Sequence, residues 1–133
     1  MTILDTNVWL GLLDEDDTLH DQATKVIDDI EGKIIVPYSV ITEVANILSG
    51  RISKKAADDF LFMVVNDQEI ELVDNDLATE LFFFASFEER LSFTDYGLIS
   101  MARDRDCELV TFDKQMQKFI KNPRNRGKVV KVS

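Results

Sequence analysis

Residues 1–10 read MTILDTNVWL. The apolar pair Ile3-Leu4 stops at Asp5-Thr6-Asn7, and apolar residues resume at Val8-Trp9-Leu10. A short apolar run that closes on a carboxylate suits a strand of a parallel sheet covered on both faces, with its carboxyl end turned toward a ligand. Four further β-type runs join TILD (2–5): KIIVP (33–37), EIELVD (69–74), ELVTF (108–112) and KVVKV (128–132). They are apolar and β-branched, and several lack polar alternation.

Helical spacing fills the gaps. In 18–31, Ala23, Val26, Ile27 and Ile30 recur at i, i+3, i+4 and i+7, and Thr18 with Asp21 forms a capping signal. In 39–49, Ser39 can cap a stripe of Val40, Val44, Ile47 and Leu48. Residues 51–65 and 76–91 read as two more helices, the second with a core stripe of Leu77, Leu81, Phe84 and Phe87 that leaves Phe82 and Phe83 off it. Thr94 can cap a helix over 95–106 with Phe93 stapled onto Leu98, and a last helix covers 114–121. Strands alternating with helices predict an α/β domain with a parallel sheet.

A chain of 133 residues is expected to form one domain over 1–133, and 45% hydrophobic residues can close its core without disulfides or a structural metal. The lone Cys107 suits a reducing compartment, here the cytoplasm, and reads as a small packed residue. No basic leader precedes the first apolar run, and no stretch is long enough to span a bilayer, so no membrane partner is expected. The net charge of -10 is uneven. Residues 114–133 hold seven Lys/Arg and no acid, leaving eight basic residues against all 25 acids in 1–113. That basic end is either a solvated face or a site for an acidic partner.

Four acids fall on one rim. Asp5 ends the first strand and Asp113 follows the fourth. Glu43 lies in the first turns of a helix that leaves the second strand through Pro37-Tyr38. Asp95 opens the helix that feeds the fourth strand through Cys107. Both helices must run antiparallel to their strands, which returns Glu43 and Asp95 to the carboxyl edge. Crowded carboxylates repel, and a hard divalent cation, Mg²⁺ or Mn²⁺, relieves them. One His and one Cys exclude a zinc site of the usual kind. Thr6, Asn7, Thr94 and Thr111 stand beside the acids and can orient them by hydrogen bonds. His20, early in its helix, is expected to be solvent-exposed or capping.

ILDTNVWL, ITEVANIL, SFTDYGLISMAR and LVTFDKQM, in this order and spacing, resemble the PIN-domain family, and within it the VapC-type ribonuclease toxins of prokaryotic toxin–antitoxin pairs. The resemblance spans residues 2 to about 131. It implies a three-layer α/β/α domain whose five-stranded parallel sheet has strand order 3-2-1-4-5. It implies that Asp5, Glu43, Asp95 and Asp113 form the metal site and the catalytic site, with Thr6 and Asn7 as the polar pair behind the first acid. It also implies Mg²⁺- or Mn²⁺-dependent hydrolysis of RNA, a homodimer, and a cognate antitoxin whose C-terminal segment lies near the active site.

With RNA as the implied substrate, Lys114, Lys118, Lys121, Arg124 and Arg126 become candidate phosphate contacts, and Arg51, Lys54 and Lys55 a second basic group. Phe82, Phe83 and Phe62 become candidates for a partner surface. Glu69, Glu71 and Asp74 flank the third strand, where charge protects a sheet edge from pairing. Two other readings stay open. A receiver-like phosphoacceptor domain shares the acids and Mg²⁺, but its paired acids at strand 1 are missing and only Asp74 could serve as acceptor. A PIN-like scaffold, or an RNA-processing nuclease outside any toxin system, shares all four motifs.

Overall fold

The structure is a computed structural model, and it describes residues 1–125 and 131–132. The strands are β1 (Thr2–Leu4), β2 (Ile34–Pro37), β3 (Ile70–Val73), β4 (Glu108–Val110) and β5 (Lys131–Val132). The helices are α1 (Thr6–Leu13), α2 (His20–Asp29), α3 (Tyr38–Arg51), α4 (Lys54–Asn66), α5 (Leu77–Ala85), α6 (Phe93–Asp104) and α7 (Lys114–Lys121), followed by a 3₁₀ turn at Pro123–Asn125. All strands pair in parallel in the order β3-β2-β1-β4-β5, as the resemblance implied. Thr2 pairs with Ile34 on one side and Glu108 on the other, and Leu4 with Val110.

The central strand explains its own composition. Every residue of β1 is buried, as are Ile35 and Val36 of β2 and Leu109 and Val110 of β4. Right-handed crossovers in this strand order put the helices between β1 and β3 on one face, and those after β3 on the other. Aromatic packing agrees. Trp9 of α1 meets Phe60 of α4 edge-on at 5.6 Å. Phe87 and Tyr96 pack on Phe119 of α7 at 4.9 and 5.4 Å. Each side chain taken fully from water in such a cluster contributes about 1.5–3 kcal/mol. At the sheet edge, β3 exposes Glu71 and Leu72, so a charge does sit on the unpaired edge.

Several local expectations are corrected. The first strand ends at Leu4, and Asp5 instead caps α1, an eight-residue helix that no apolar period announces. Thr18 does not cap α2, which starts at His20 after Leu19, whose N–H donates to Asp17 Oδ1 at 2.8 Å. Ser39 does not cap α3, because the helix already begins at Tyr38 behind Pro37. Thr94 does not cap α6. Ser92 does, and its Oγ accepts from Asp95 N–H at 3.0 Å while Ser92 N–H donates to the Asp95 carboxylate at 3.3 Å. Phe93 is therefore inside the helix, and its ring packs on Phe84 at 5.5 Å.

The stripe of α5 is rotated from the expected one. Phe83 and Glu80 are its buried residues, whereas Leu77, Leu81 and Phe82 are exposed and Phe84 is partly so. Phe83 wedges against Phe87 and Tyr96, with the Arg103 guanidinium 4.7 Å over its ring. No helix among the described residues is long and apolar enough to cross a membrane.

Candidate active site

Because β1 lies between β2 and β4, the chain leaves its carboxyl end in one direction toward β2 and in the other toward β4. The crevice at such a reversal is where open α/β sheets bind ligands. Asp5 sits in it, 7% exposed. Its backbone N–H donates to Val110 O at 2.9 Å, extending the β1–β4 pairing into the site. Asp5 Oδ1 accepts from Thr6 N–H at 2.7 Å, and Oδ2 accepts from the Thr111 hydroxyl at 2.7 Å.

Thr111 reaches this position because β4 stops at Val110 and the next two residues turn inward. Its Oγ accepts from Asp113 N–H at 3.1 Å and from Asn7 Nδ2 at 3.5 Å. Asn7 Oδ1 accepts from Phe112 N–H at 3.2 Å, so Asn7 clamps the segment after β4 to the start of α1. Gln117 Nε2 donates to Thr111 O at 2.7 Å and completes the clamp; the sequence offered no signal for it beyond its place one turn after Asp113. The expected orienting roles of Asn7 and Thr111 thus have a geometry. Thr6 Oγ is buried with no hydrogen-bond partner. Thr94 bonds to none of the four acids and lines a neighbouring pocket instead.

Burial pushes the Asp5 carboxyl up from 3.8 to about 6, against the pull of its two hydrogen bonds, and the charges of Asp95 and Glu43 push the same way. Burial likewise raises Asp95, with Asp113 adding to it. The four acids therefore lie close enough to repel one another, as expected from their places on the rim. They are not drawn together around a common point: among the described residues no three Asp, Glu, His or Cys side chains stand at metal-ligating spacing. The reason is local. One Asp95 oxygen is bound to Ser92 N–H, and Asp113 Oδ1 caps α7 through Gln115 N–H at 2.8 Å and Met116 N–H at 3.2 Å.

Oxygen donors alone, a proton-holding Asp5 and an unpartnered Thr6 hydroxyl fit a hard divalent cation in charge and in donor chemistry. Mg²⁺ keeps several waters and needs only one or two carboxylates, which suits a set that has not closed.

Lys114, Lys118, Lys121 and Arg124 are exposed and form no ion pair among the described residues; Arg126 lies outside those residues. The second basic group is neutralised. Arg51 pairs with Asp14 and Asp17, Lys54 with Asp58, and Lys55 with Asp59. His20 Nδ1 lies 2.8 Å from Gly11 O, joining α2 to α1, and it bonds to none of the four rim acids. Cys107 is buried, and burial pushes its thiol up, which leaves it unreactive.

The PIN domain model matches residues 2–122. The chain belongs to the PIN domain family. Its fold is shared by VapC20 of Mycobacterium tuberculosis, described as a sarcin–ricin-loop-cleaving toxin, with a TM-score of 0.80 and 17% identity over 90% of this chain and 95% of that one. A toxin–antitoxin complex from Klebsiella pneumoniae has a chain matching at a TM-score of 0.68 and 13% identity, over 92% of this chain and 93% of that one. The VapBC2 complex of Rickettsia felis, bound to a promoter DNA fragment, matches at 0.67 and 15% identity, over 99% and 96%. No curated protein sequence matches the chain. Membership of the PIN domain family replaces the receiver-like alternative, whose acceptor candidate Asp74 lies exposed beyond the edge strand.

Proposed function

We propose that this PIN domain is a single-domain endoribonuclease dependent on Mg²⁺ or Mn²⁺, the cytoplasmic toxin of a type II toxin–antitoxin pair. One observation carries the reading: a carboxylate buried at the sheet's reversal point, held protonated to about pH 6 by burial and by two neighbouring acids, with no cation among the described residues acting on it. Asp5, Glu43, Asp95 and Asp113 are the residues that would hold the metal ion. Bound there, it would supply charge neutralisation at a phosphodiester and make water easier to deprotonate to a nucleophile.

The chain's own groups do the rest. Thr111 and Thr6 N–H fix both oxygens of Asp5, so the carboxylate cannot rotate. Asn7 holds Thr111 against it. Glu43, exposed at the mouth, is placed to orient water or accept its proton. In-line attack leaves 5′-phosphate and 3′-hydroxyl ends. Lys114, Lys118, Lys121 and Arg124 give the RNA a cationic track that starts beside Asp113. Exposed Phe62, Val65, Leu77, Leu81 and Phe82 support the partner surfaces expected of a toxin, a second copy and an antitoxin.

The test is Mg²⁺-dependent cleavage of RNA by the wild type and by Asp5→Ala, with circular dichroism reporting the fold. Loss of cleavage with the fold intact is expected; full activity in the variant sinks the reading. The helix-capping bonds of Asp95 and Asp113 favour a second reading, a PIN-like scaffold that binds without turnover. Metal titration of the wild type followed by the same assay separates the two.

A further inference from the structure

A pocket of about 190 Å³ opens at the same carboxyl rim, between the first turns of α3 and α6 and the segment that leads from β3 into α5. That volume is about six waters, or one bicyclic ring. Its mouth is apolar. Tyr38 and Leu77 are 60% and 70% exposed, and Phe93 faces them from the first turn of α6. Its floor is polar and accounts for three features that the metal site leaves unexplained.

Glu80 is the only acid besides Asp5 buried among the described residues. It fits because residue 97 is glycine: a Cβ there would stand 2.4 Å from Glu80 Oε1. Asn75 Nδ2 donates to Glu80 Oε2 at 3.0 Å, and Asn75 Oδ1 accepts from Ser39 N–H at 2.9 Å, which fixes the amide and leaves its second N–H to donate elsewhere. Ser39 Oγ is buried with no partner at all. The groups left to a visitor are therefore the remaining lone pairs of Glu80, which accept, the second Asn75 N–H, which donates, and the Ser39 hydroxyl, which does either. No cation among the described residues lines the pocket.

A phosphate is the wrong occupant for a floor built on a carboxyl with no cation among the described lining residues. A planar ring with apolar faces and N–H donors on one edge is the right one. Thr94 on the pocket wall precedes Asp95, and Tyr38 stands five residues before Glu43 on α3, so the pocket adjoins the acids. Building on the ribonuclease reading above, we infer that this pocket is a subsite for one unstacked base of the RNA strand. It takes a base with an exocyclic amino group, guanine first, because guanine sets two adjacent donors on its Watson–Crick edge, whereas uracil offers a single N–H between two carbonyls. Tyr38 and Phe93 are the stacking walls.

Two variants keep the fold out of the question. The Tyr38 side chain is mostly in water, and Ser39 Oγ holds nothing in the protein. Binding of the four nucleoside 5′-monophosphates to Asp5→Asn, with and without Tyr38→Ala or Ser39→Ala, reads the subsite without turnover. Guanosine monophosphate is expected to bind at least tenfold tighter than uridine monophosphate. Tyr38→Ala is expected to weaken binding of every base by about tenfold, the usual worth of one stack, and Ser39→Ala to narrow the preference for guanosine. On RNA of random sequence, Tyr38→Ala in the active chain is expected to raise KM with kcat little changed, and to blur base choice at one position beside the cut.

Equal binding of all four nucleotides, or no effect of either variant, overturns the subsite even where RNA is cleaved. Base-selective binding without cleavage keeps the subsite and removes the nuclease. Tight binding of free arginine, with no nucleotide bound, assigns the pocket to a protein partner's guanidinium and also overturns the proposal.

Discussion

At Asp5, water is scarce and two acids are near, so the folded chain holds a proton there to about pH 6, where the unfolded chain releases it near 3.8. Between those values the folded state binds more protons than the unfolded one. Stability from this residue is therefore full below about pH 4 and is lost as pH rises through 6. The shift corresponds to about 3 kcal/mol. In chelator, the wild type is expected to lose melting temperature relative to Asp5→Asn as pH is raised from 4.5 to 7, and Mg²⁺ at pH 7 to restore the wild type alone. Thr111→Val removes a hydrogen bond to that carboxylate, worth about 1.5–3 kcal/mol once ionised. It is expected to destabilise the fold at pH 7 and to move the acid limb of the cleavage rate to higher pH. Asp5 and Asp113 were legible because each ends a β-branched run. The work of Gln117 and Asn75 was not, since an amide gives no signal until its backbone partner is known.

Among the elements, α1 and α5 escaped the sequence for opposite reasons. Thr6-Asn7-Val8-Trp9 favours helix poorly, and α1 owes its existence to the Asp5 cap and to burial of Val8 and Trp9. In α5 three phenylalanines stand in a row, so hydrophobic period cannot choose the inward one. Packing chooses Phe83, because Glu80 beside it must reach Asn75 and the space over Gly97. Phe83→Ala is expected to cost about 3–5 kcal/mol. Phe82→Ala, at 74% exposure, is expected to stay within about 0.5 kcal/mol. Urea titration of both variants checks the phase of this helix. The long helices α3 and α4 were legible as helical stretches and the strands as short apolar, β-branched runs, but the helix starts were not: α3 begins behind Pro37 and not at a Ser39 cap, and α4 begins after Ser53 and not at residue 51.

For the molecule as a whole, charge is divided between an acidic body and a basic end, and strand order was supplied by family likeness, not by pattern. No local feature of five similar apolar runs states which is central. If the free cations of α7 meet RNA phosphates, replacing Lys114, Lys118 and Lys121 by glutamine reduces affinity uniformly across sequences and flattens the dependence of log affinity on log salt by about 2. Fluorescence anisotropy with a single-stranded probe on Asp5→Asn measures both.

The pairing of β1 with β4 also bears on synthesis. Asp5 and Glu43 leave the ribosome early, but the strand that positions Asp5 begins at Glu108, and its hydroxyl partner is Thr111. A nascent chain lacking the segment from Glu108 onward has neither the neighbouring strand nor Asp113 and the Thr111 hydroxyl. On the ribonuclease reading proposed above, the order of the residues withholds the cutting site until β4 and the segment after it have been made.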